Sequence, residues 1–402
     1  DAAEDHRGGS YVTQHEQYYR SLRLGAYRAP DAELAGFDVL AEVIPPAAER
    51  GIAVYAFVLE NTHSGLARSV PGWPSILQVD AWGRSDTDAC LRHPDYVAWW
   101  LALVEDQVMS YPLDGVMFGC ERQGPLGNAL GLGGFARRAT PYCFCSHCTA
   151  EGDRRRIDPD RAMRGYRALL ELCEGGGQPA ESGPVAFLRI LLTWPELLAW
   201  DQMWHDGYRA LQQRLYGSLK LLRPELAVGW HIWHHNSFSP LHRAQTDLAA
   251  MVAYSDFLKP VLYNNCAGYR LLHHVERVCS TLFRGVDRSL VLELYRQTLG
   301  YEEALDLDTL AESGLSARYV AGETRRTLGE VAGRSAVYPG IDVNVAAPGH
   351  VKATTPSGLA EVAAAALDAG ADGIILSRKY SEMTHENLAA VGASLRRGGF
   401  VP

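Results

Sequence analysis

Short apolar runs that end in polar residues alternate with helical stretches along most of this chain, and no other feature constrains its fold more. A chain that repeats strand, loop and helix builds a parallel sheet, because each helix carries it back to the same edge. A helix near Phe37–Arg50 leads through Gly51 to a strand at Ile52–Leu59, which closes on Glu60-Asn61. The next helix begins at Pro94, a residue suited to the first turn, and its Val97, Leu101, Val104 and Val108 recur at helical spacing. It stops around Tyr111-Pro112, and Asp114-Gly115 turns into a strand at Val116–Gly119 that ends on Cys120-Glu121. A helical region at about Val185–Leu222, broken at Pro195, leads to a strand at Leu226–Trp233 ending in His234-His235. A helix near Leu241–Tyr254 precedes a strand at Phe257–Leu262 ending in Tyr263-Asn264. Helices fill most of Leu271–Val331, and the strand Ala336–Ile341 ends on Asp342. A last helix, Ser357–Leu367, leads to Gly373–Leu376, which closes on Ser377-Arg378-Lys379-Tyr380.

Six strands of this kind, each ending in acidic or polar residues, predict an α/β fold of the (β/α)8 TIM-barrel type with long βα loops, where chemistry collects at the C-terminal rim of the strands. Two features oppose the prediction. The first 36 residues hold no strong strand, and Pro339 removes a ladder donor from a strand expected to be buried. The stretch Glu174–Pro184 reads as a surface loop rather than a linker, so residues 1–402 are expected to form one catalytic domain. Two strands share an opening, Leu113-Asp114-Gly115-Val116 and Ala371-Asp372-Gly373-Ile374, which reads as one local turn solution used twice.

Composition removes several function classes. With 47% hydrophobic and 21% charged residues the chain has ample material for a large core. The net charge is −9 and the longest arginine run, Arg154-Arg155-Arg156, lies among Asp153, Asp158 and Asp160, so a nucleic-acid partner is not expected. No apolar run reaches the roughly 18–20 residues that span a bilayer. The acidic start is unlike a signal peptide, which favours the cytoplasm. There is no phosphate loop, dinucleotide fingerprint or nucleophile elbow, hence no organic cofactor is expected; a homo-oligomer is compatible with everything so far.

Eight cysteines are too few for a disulfide scaffold, yet Cys143, Cys145 and Cys148 fall within six residues. Three thiolates so close suit zinc, which takes four N or S ligands. The fourth ligand is to be chosen among Cys90, Cys120 and His147, with Cys90 first. Four thiolates leave no open position, so the zinc would be structural, pinning a loop at about 120–160. The segment Cys90-Leu-Arg-His-Pro94-Asp-Tyr96, the strand-closing Glu121 and Cys143-x-Cys145-x2-Cys148 together resemble the family 42 β-galactosidases over roughly residues 75–150. The resemblance implies zinc on Cys90, Cys143, Cys145 and Cys148, and an acid/base role for Glu121. It departs from that family in having Cys120 before Glu121 where the family has Asn, and in a longer loop from Glu121 to Cys143. The ending Leu376–Met383 with Glu386-Asn387-Leu388 resembles uncharacterised barrel-fold glycoside hydrolases, so what carries over is the superfamily, not one sugar.

Glycoside hydrolysis needs two carboxyl groups, about 5–5.5 Å apart when configuration is retained and about 6.5–9.5 Å when it is inverted. Glu121 is the expected acid, with partial burial raising its pKa. Asp342, closing what would be the seventh strand, is the expected nucleophile, and the enzyme is expected to be retaining. Glu60, Arg122, His231, His234, Lys259, Tyr263, Arg378 and Tyr380 line the expected rim as carbohydrate-binding residues. Glu60 is the next choice for the partner of Glu121, Glu382 lies past the last strand and could equally cap the following helix, and Glu293 reads as helical surface. Two rivals stand beside this reading: a barrel lyase or isomerase with His234 or Lys259 as base, and a carbohydrate-binding barrel without catalysis.

Overall fold

The computed structural model describes residues 11–26, 36–60, 70–132, 140–175, 182–345, 351–377 and 383–399. Its Cα positions group into two compact units: Asp1–Ala129, Arg138–Leu172 and Phe187–Val228 form one, and Leu130–Arg137, Cys173–Ala186 and Gly229–Pro402 the other. Each is a mixed α/β assembly with parallel strands. Among the described residues no helix is long and apolar enough to cross a membrane.

The first unit holds, wholly or for the most part, α1 (Val39–Ala48), β1 (Tyr55–Glu60), β2 (Leu77–Val79), β3 (Ser85–Ala89), α2 (Pro94–Ser110), β4 (Gly115–Cys120), α3 (Pro125–Ala129), α4 (Ser146–Arg154), α5 (Pro159–Glu174), α6 (Gly183–Thr193) and α7 (Glu196–Leu222). β1 and β4 run parallel in a register from Tyr55↔Gly115 to Glu60↔Cys120. Asp114 sets that register: its Oδ2 accepts Val54 N at 2.7 Å, while its own N–H donates to Val54 O at 2.9 Å. α2 starts at Pro94, with His93 Nδ1 accepting from Asp95 N. It buries Tyr96, Val97, Trp99, Trp100, Leu103, Val104 and Val108, with Trp73 and Phe118 packed edge-on against its tryptophans. Each such large apolar side chain contributes about 1.5–3 kcal/mol when removed from water. The antiparallel hairpin β2–β3 is absent from the sequence reading. Its turn is wound on Asp80, whose carboxylate accepts from Trp82 N, Arg84 N and Arg84 Nε.

The second unit takes most of β5 (Ala227–Ile232), then α8 (His235–Phe238), α9 (Pro240–Gln245), α10 (Leu248–Met251), β6 (Phe257–Pro260), α11 (Asn264–Ser280), α12 (Arg288–Leu299), α13 (Leu310–Ser313), α14 (Ala317–Val331), β7 (Ala336–Val337), β8 (Gly340–Asp342), α15 (Pro356–Asp368), β9 (Ile375–Ser377) and α16 (His385–Arg397). β5, β6 and β7 pair in parallel, as do β8 and β9. The single strand expected at Ala336–Ile341 is two pieces, and Pro339 is the reason. Tyr338 N still donates to Leu258 O at 2.9 Å, Pro339 has no N–H to continue that ladder, and its carbonyl instead accepts Ile375 N at 2.9 Å. The helix expected at Leu241–Tyr254 is also divided, because Asp247 caps a fresh helix start by accepting Ala250 N. Asp372 repeats the device of Asp114: its Oδ2 accepts Val337 N at 2.8 Å.

Candidate active site

Glu121 follows the last residue of β4, whose residues Gly115–Gly119 are all buried. The partial burial expected for it is not found: Glu121 is exposed, because the chain turns inward only at the next residue. Arg122 is 7% exposed, donates Nη1–H to Ala89 O at 2.6 Å, and lies 4.0 Å from Asp88 Oδ2. Gly124 lies so close to α7 that a Cβ there would stand 2.6 Å from His205 Nε2 and 2.7 Å from Asp201 Oδ1. Asp201 Oδ1 also accepts Leu126 N at 2.9 Å, capping α3. Burial depresses His205 to about 4, so this support is neutral at working pH. The loop that carries Glu121 is thus held by the end of β3 on one side and by α7 on the other.

The end of β3 also delivers Cys90. Cys143, Cys145 and Cys148 stand at and just inside the start of α4, and the four sulfurs all lie within 4.8 Å of one another. Cys90 Sγ is 3.6 Å from Cys148 Sγ and 3.5 Å from Cys145 Sγ. A zinc tetrahedron with Zn–S near 2.3 Å has edges of about 3.7–3.8 Å, so the donor set fits that ion in number, chemistry and spacing. Contact with the other three sulfurs drives Cys145 strongly toward the thiolate, while burial and Cys145 together hold Cys143 up. Cys120 and His147 are outside the cluster; the His147 ring packs edge-on against His93. The cluster loop is tied to the hairpin by Phe144 N, which donates to Val79 O at 2.7 Å.

In the second unit His231 and Lys259 are register partners on β5 and β6, and both are buried. Lys259 Nζ approaches Tyr263 Oη at 3.4 Å. His234 is not at the strand end expected for it; β5 stops at Ile232, and His234 leads into the short helix α8. It is 0% exposed and both ring nitrogens are engaged. Arg270 Nη1 donates to Nδ1 at 2.8 Å, so the proton is on Nε2, which donates to Tyr319 Oη at 3.1 Å. Tyr319 then donates to Ser237 Oγ at 2.6 Å, and Ser237 to His234 O at 2.8 Å. Burial holds His234 far below its ordinary value, and the ring of bonds leaves it no free lone pair for a base or a metal. Arg270 and Tyr319 have no signal in the sequence; they lie on helices, where arginine and tyrosine are ordinary.

Asp342 closes β8 and is 1% exposed. Its Oδ1 accepts Asn265 N at 3.3 Å and its Oδ2 accepts Cys266 N at 3.1 Å, so it caps α11 from outside the helix. Burial raises its pKa to about 6, against the pull of those two amides and of Arg270. Asn265 also lines a cavity of ≈ 80 Å³, together with Asn264, Ser316, Lys352, Thr355 and Glu361 among others.

Trp230 is core, donating Nε1–H to Tyr254 O, and Glu293, as expected, is helical surface paired with Arg296. Arg378, Tyr380, Glu382 and the side chain of Glu60 lie outside the described residues. Glu121 and Asp342 belong to different compact units.

No protein-family model and no curated protein matches the chain. Solved structures do. The β-galactosidase of the Antarctic haloarchaeon Halorubrum lacusprofundi matches with a TM-score of 0.52 at 15% identity, over 93% of this chain and 52% of that one. The β-galactosidase of the psychrophilic Marinomonas ef1 gives 0.49 at 10% identity, over 92% and 53%. Bee venom hyaluronidase in complex with a hyaluronic acid tetramer gives 0.38 at 11%, over 87% and 89%. The chain therefore spans about half the length of the β-galactosidase chains it matches, and with the first of them it shares a fold.

Proposed function

We propose that the chain is a glycoside hydrolase built on one (β/α)8 barrel, with Glu121 as acid/base and Asp342 as nucleophile. The observation that carries this reading is the position of Glu121, at the C-terminal end of a parallel strand in a fold shared with a β-galactosidase chain. In this mechanism Glu121 gives its proton to the glycosidic oxygen as an Asp342 oxygen bonds to the anomeric carbon, and the leaving alcohol departs. Glu121, now a carboxylate, takes a proton from water; the water oxygen attacks the same carbon and Asp342 leaves. Two displacements retain configuration. Glu121 is exposed, and Arg122 beside it in the chain is held by its bond to Ala89 O. Lys259, Tyr263 and His231 supply hydrogen bonds to sugar hydroxyls, with Glu60, Arg378 and Tyr380 as further rim contacts. His234 acts through Arg270, which it holds. A zinc ion on Cys90, Cys143, Cys145 and Cys148 would supply rigidity to the loop beyond Glu121 and take no part in bond cleavage.

A screen of aryl glycosides with wild type, Glu121→Gln and Asp342→Asn tests the reading. Loss of an acid/base catalyst costs about 10²–10⁴-fold in rate. A Glu121→Gln protein with full activity on a glycoside that wild type cleaves ends the proposal. The grip of two amides on Asp342 favours one alternative, a carbohydrate-binding barrel in which Asp342 is only a helix cap. That alternative expects saturable sugar binding with no turnover.

A further inference from the structure

The cavity beside Asp342 has a consistent address in the fold of the second unit. Asn264 and Asn265 open α11 just after β6, Thr355 precedes α15 in the segment after β8, and Ser316 and Ala317 open α14. In βα units the C-terminal ends of strands and the starts of helices share one face, and ligands of such sheets bind there. The cavity thus opens on the face that carries Asp342.

Its lining mixes donors with acceptors. Lys352 brings an ammonium group with three donors and Glu361 a carboxylate with acceptors only, both on exposed residues. Asn264 is 3% exposed. Its Nδ2 donates to Asn265 Oδ1 and to Leu315 O, both at 3.2 Å, which fixes the orientation of the amide. Its Oδ1 accepts no hydrogen bond among the described residues, so an acceptor on a buried side chain that lines the cavity is left for a ligand. A space of ≈ 80 Å³ exceeds what one water needs and has room for several small polar groups. One ammonium and one carboxylate cancel, so a net charge on the ligand gains nothing overall. A hydroxyl both gives and takes a hydrogen bond, and two adjacent hydroxyls match this set: they accept from Lys352 and donate to Glu361 and to Asn264 Oδ1.

We propose that this cavity is a subsite for one edge of a neutral sugar ring, held through adjacent hydroxyls by Lys352, Glu361 and Asn264. The choice of a sugar rests on the glycosidase reading; the choice of a neutral one rests on the lining.

Isothermal titration of wild type, Lys352→Ala and Glu361→Ala with D-galactose, D-glucose, D-galacturonate and glycine decides it. The two replaced side chains belong to exposed residues, so both variants should fold. A neutral hexose is expected to saturate wild type and to bind at least about tenfold more weakly to each variant, the loss of one hydrogen bond to a charged group. Galacturonate and glycine are expected to bind more weakly than the hexose. The subsite is overturned if no hexose binds saturably, if both variants bind it as wild type does, or if glycine or galacturonate is preferred. The outcomes separate it from the catalytic reading. Hexose binding that is lost in the variants, in a protein that cleaves no aryl glycoside, keeps the subsite and removes the hydrolase. Cleavage with variant-insensitive hexose binding does the reverse.

Discussion

His274 and His235 carry opposite chemistry from Asp342 within the same unit. His274 is buried among His235, Phe238 and Tyr295, with Tyr295 Oη 3.3 Å from its Nε2, and burial, aided by His242, depresses its pKa to about 3. The unfolded chain takes up that proton near pH 6.5 and the folded one only near 3. Stability from this residue is therefore full above pH 6.5 and is lost as pH falls toward 3. Asp342 has the reverse sign. Its folded value of about 6 exceeds the usual 3.8, so its contribution is full below pH 3.8 and lost as pH rises through 6. His274→Leu should thus flatten the fall of Tm between pH 6.5 and 4 relative to wild type; parallel Tm–pH curves for the two proteins would refute it. At this scale sequence reading is weakest. Glu121 and Asp342 are legible as strand-end residues and His234 is not, while exposure, a helix-capping role and a closed ring of hydrogen bonds are set by Arg122, Asn265, Cys266, Arg270 and Tyr319. Four of these lie 36 to 85 residues away along the chain from the residue they act on.

Elements were far more legible, since the signals that begin and end them are local. The break at Pro195, the start at Pro94 and the twin Asp-Gly openings all appear where the sequence puts them. The Asp-Gly pair also shows why the solution recurs: each aspartate bonds the backbone of the neighbouring strand and fixes its register as the strand begins. The hairpin β2–β3 escaped because Ser85–Ala89 is a polar stretch of Ser, Asp, Thr, Asp and Ala, without apolar alternation. The close packing of Gly124 on α7 gives a test at this scale. Gly124→Ala places a Cβ within 2.7 Å of Asp201 and His205, and overpacking of this kind costs about 1–3 kcal/mol. The expected result is a lower Tm and a fall in kcat on any glycoside that wild type cleaves. Gly217→Ala, inside α7 with nothing within 4 Å of its Cβ, should instead raise stability by up to about 1 kcal/mol and leave kcat unchanged. Equal effects of the two changes would remove the role given to Gly124.

For the molecule as a whole, the four-cysteine cluster makes the largest claim. It joins the end of β3 to the start of α4, with Cys90 and Cys148 in contact across 58 residues of chain. Purified protein should contain about one zinc per chain by metal analysis, and removal by a strong chelator should lower Tm by several degrees, because binding free energy at such a site is folding free energy. Zinc-free protein that melts as the loaded protein does would show the cluster to be dispensable. By itself the sequence determined which segments become strands and helices, which residues stand at strand ends, and that three clustered cysteines call for a fourth partner. These follow from periodicity, capping and ligand chemistry, all carried within a few residues. Only the tertiary structure decided that Glu121 is exposed while Asp342 is buried against the amides of α11, that His234 is spent on holding Arg270, and that Asn264, at the start of the same helix, lines a cavity. The physical reason is burial and pairing: a side chain's water and partners are supplied by segments remote in the chain, and no local pattern records which ones arrive.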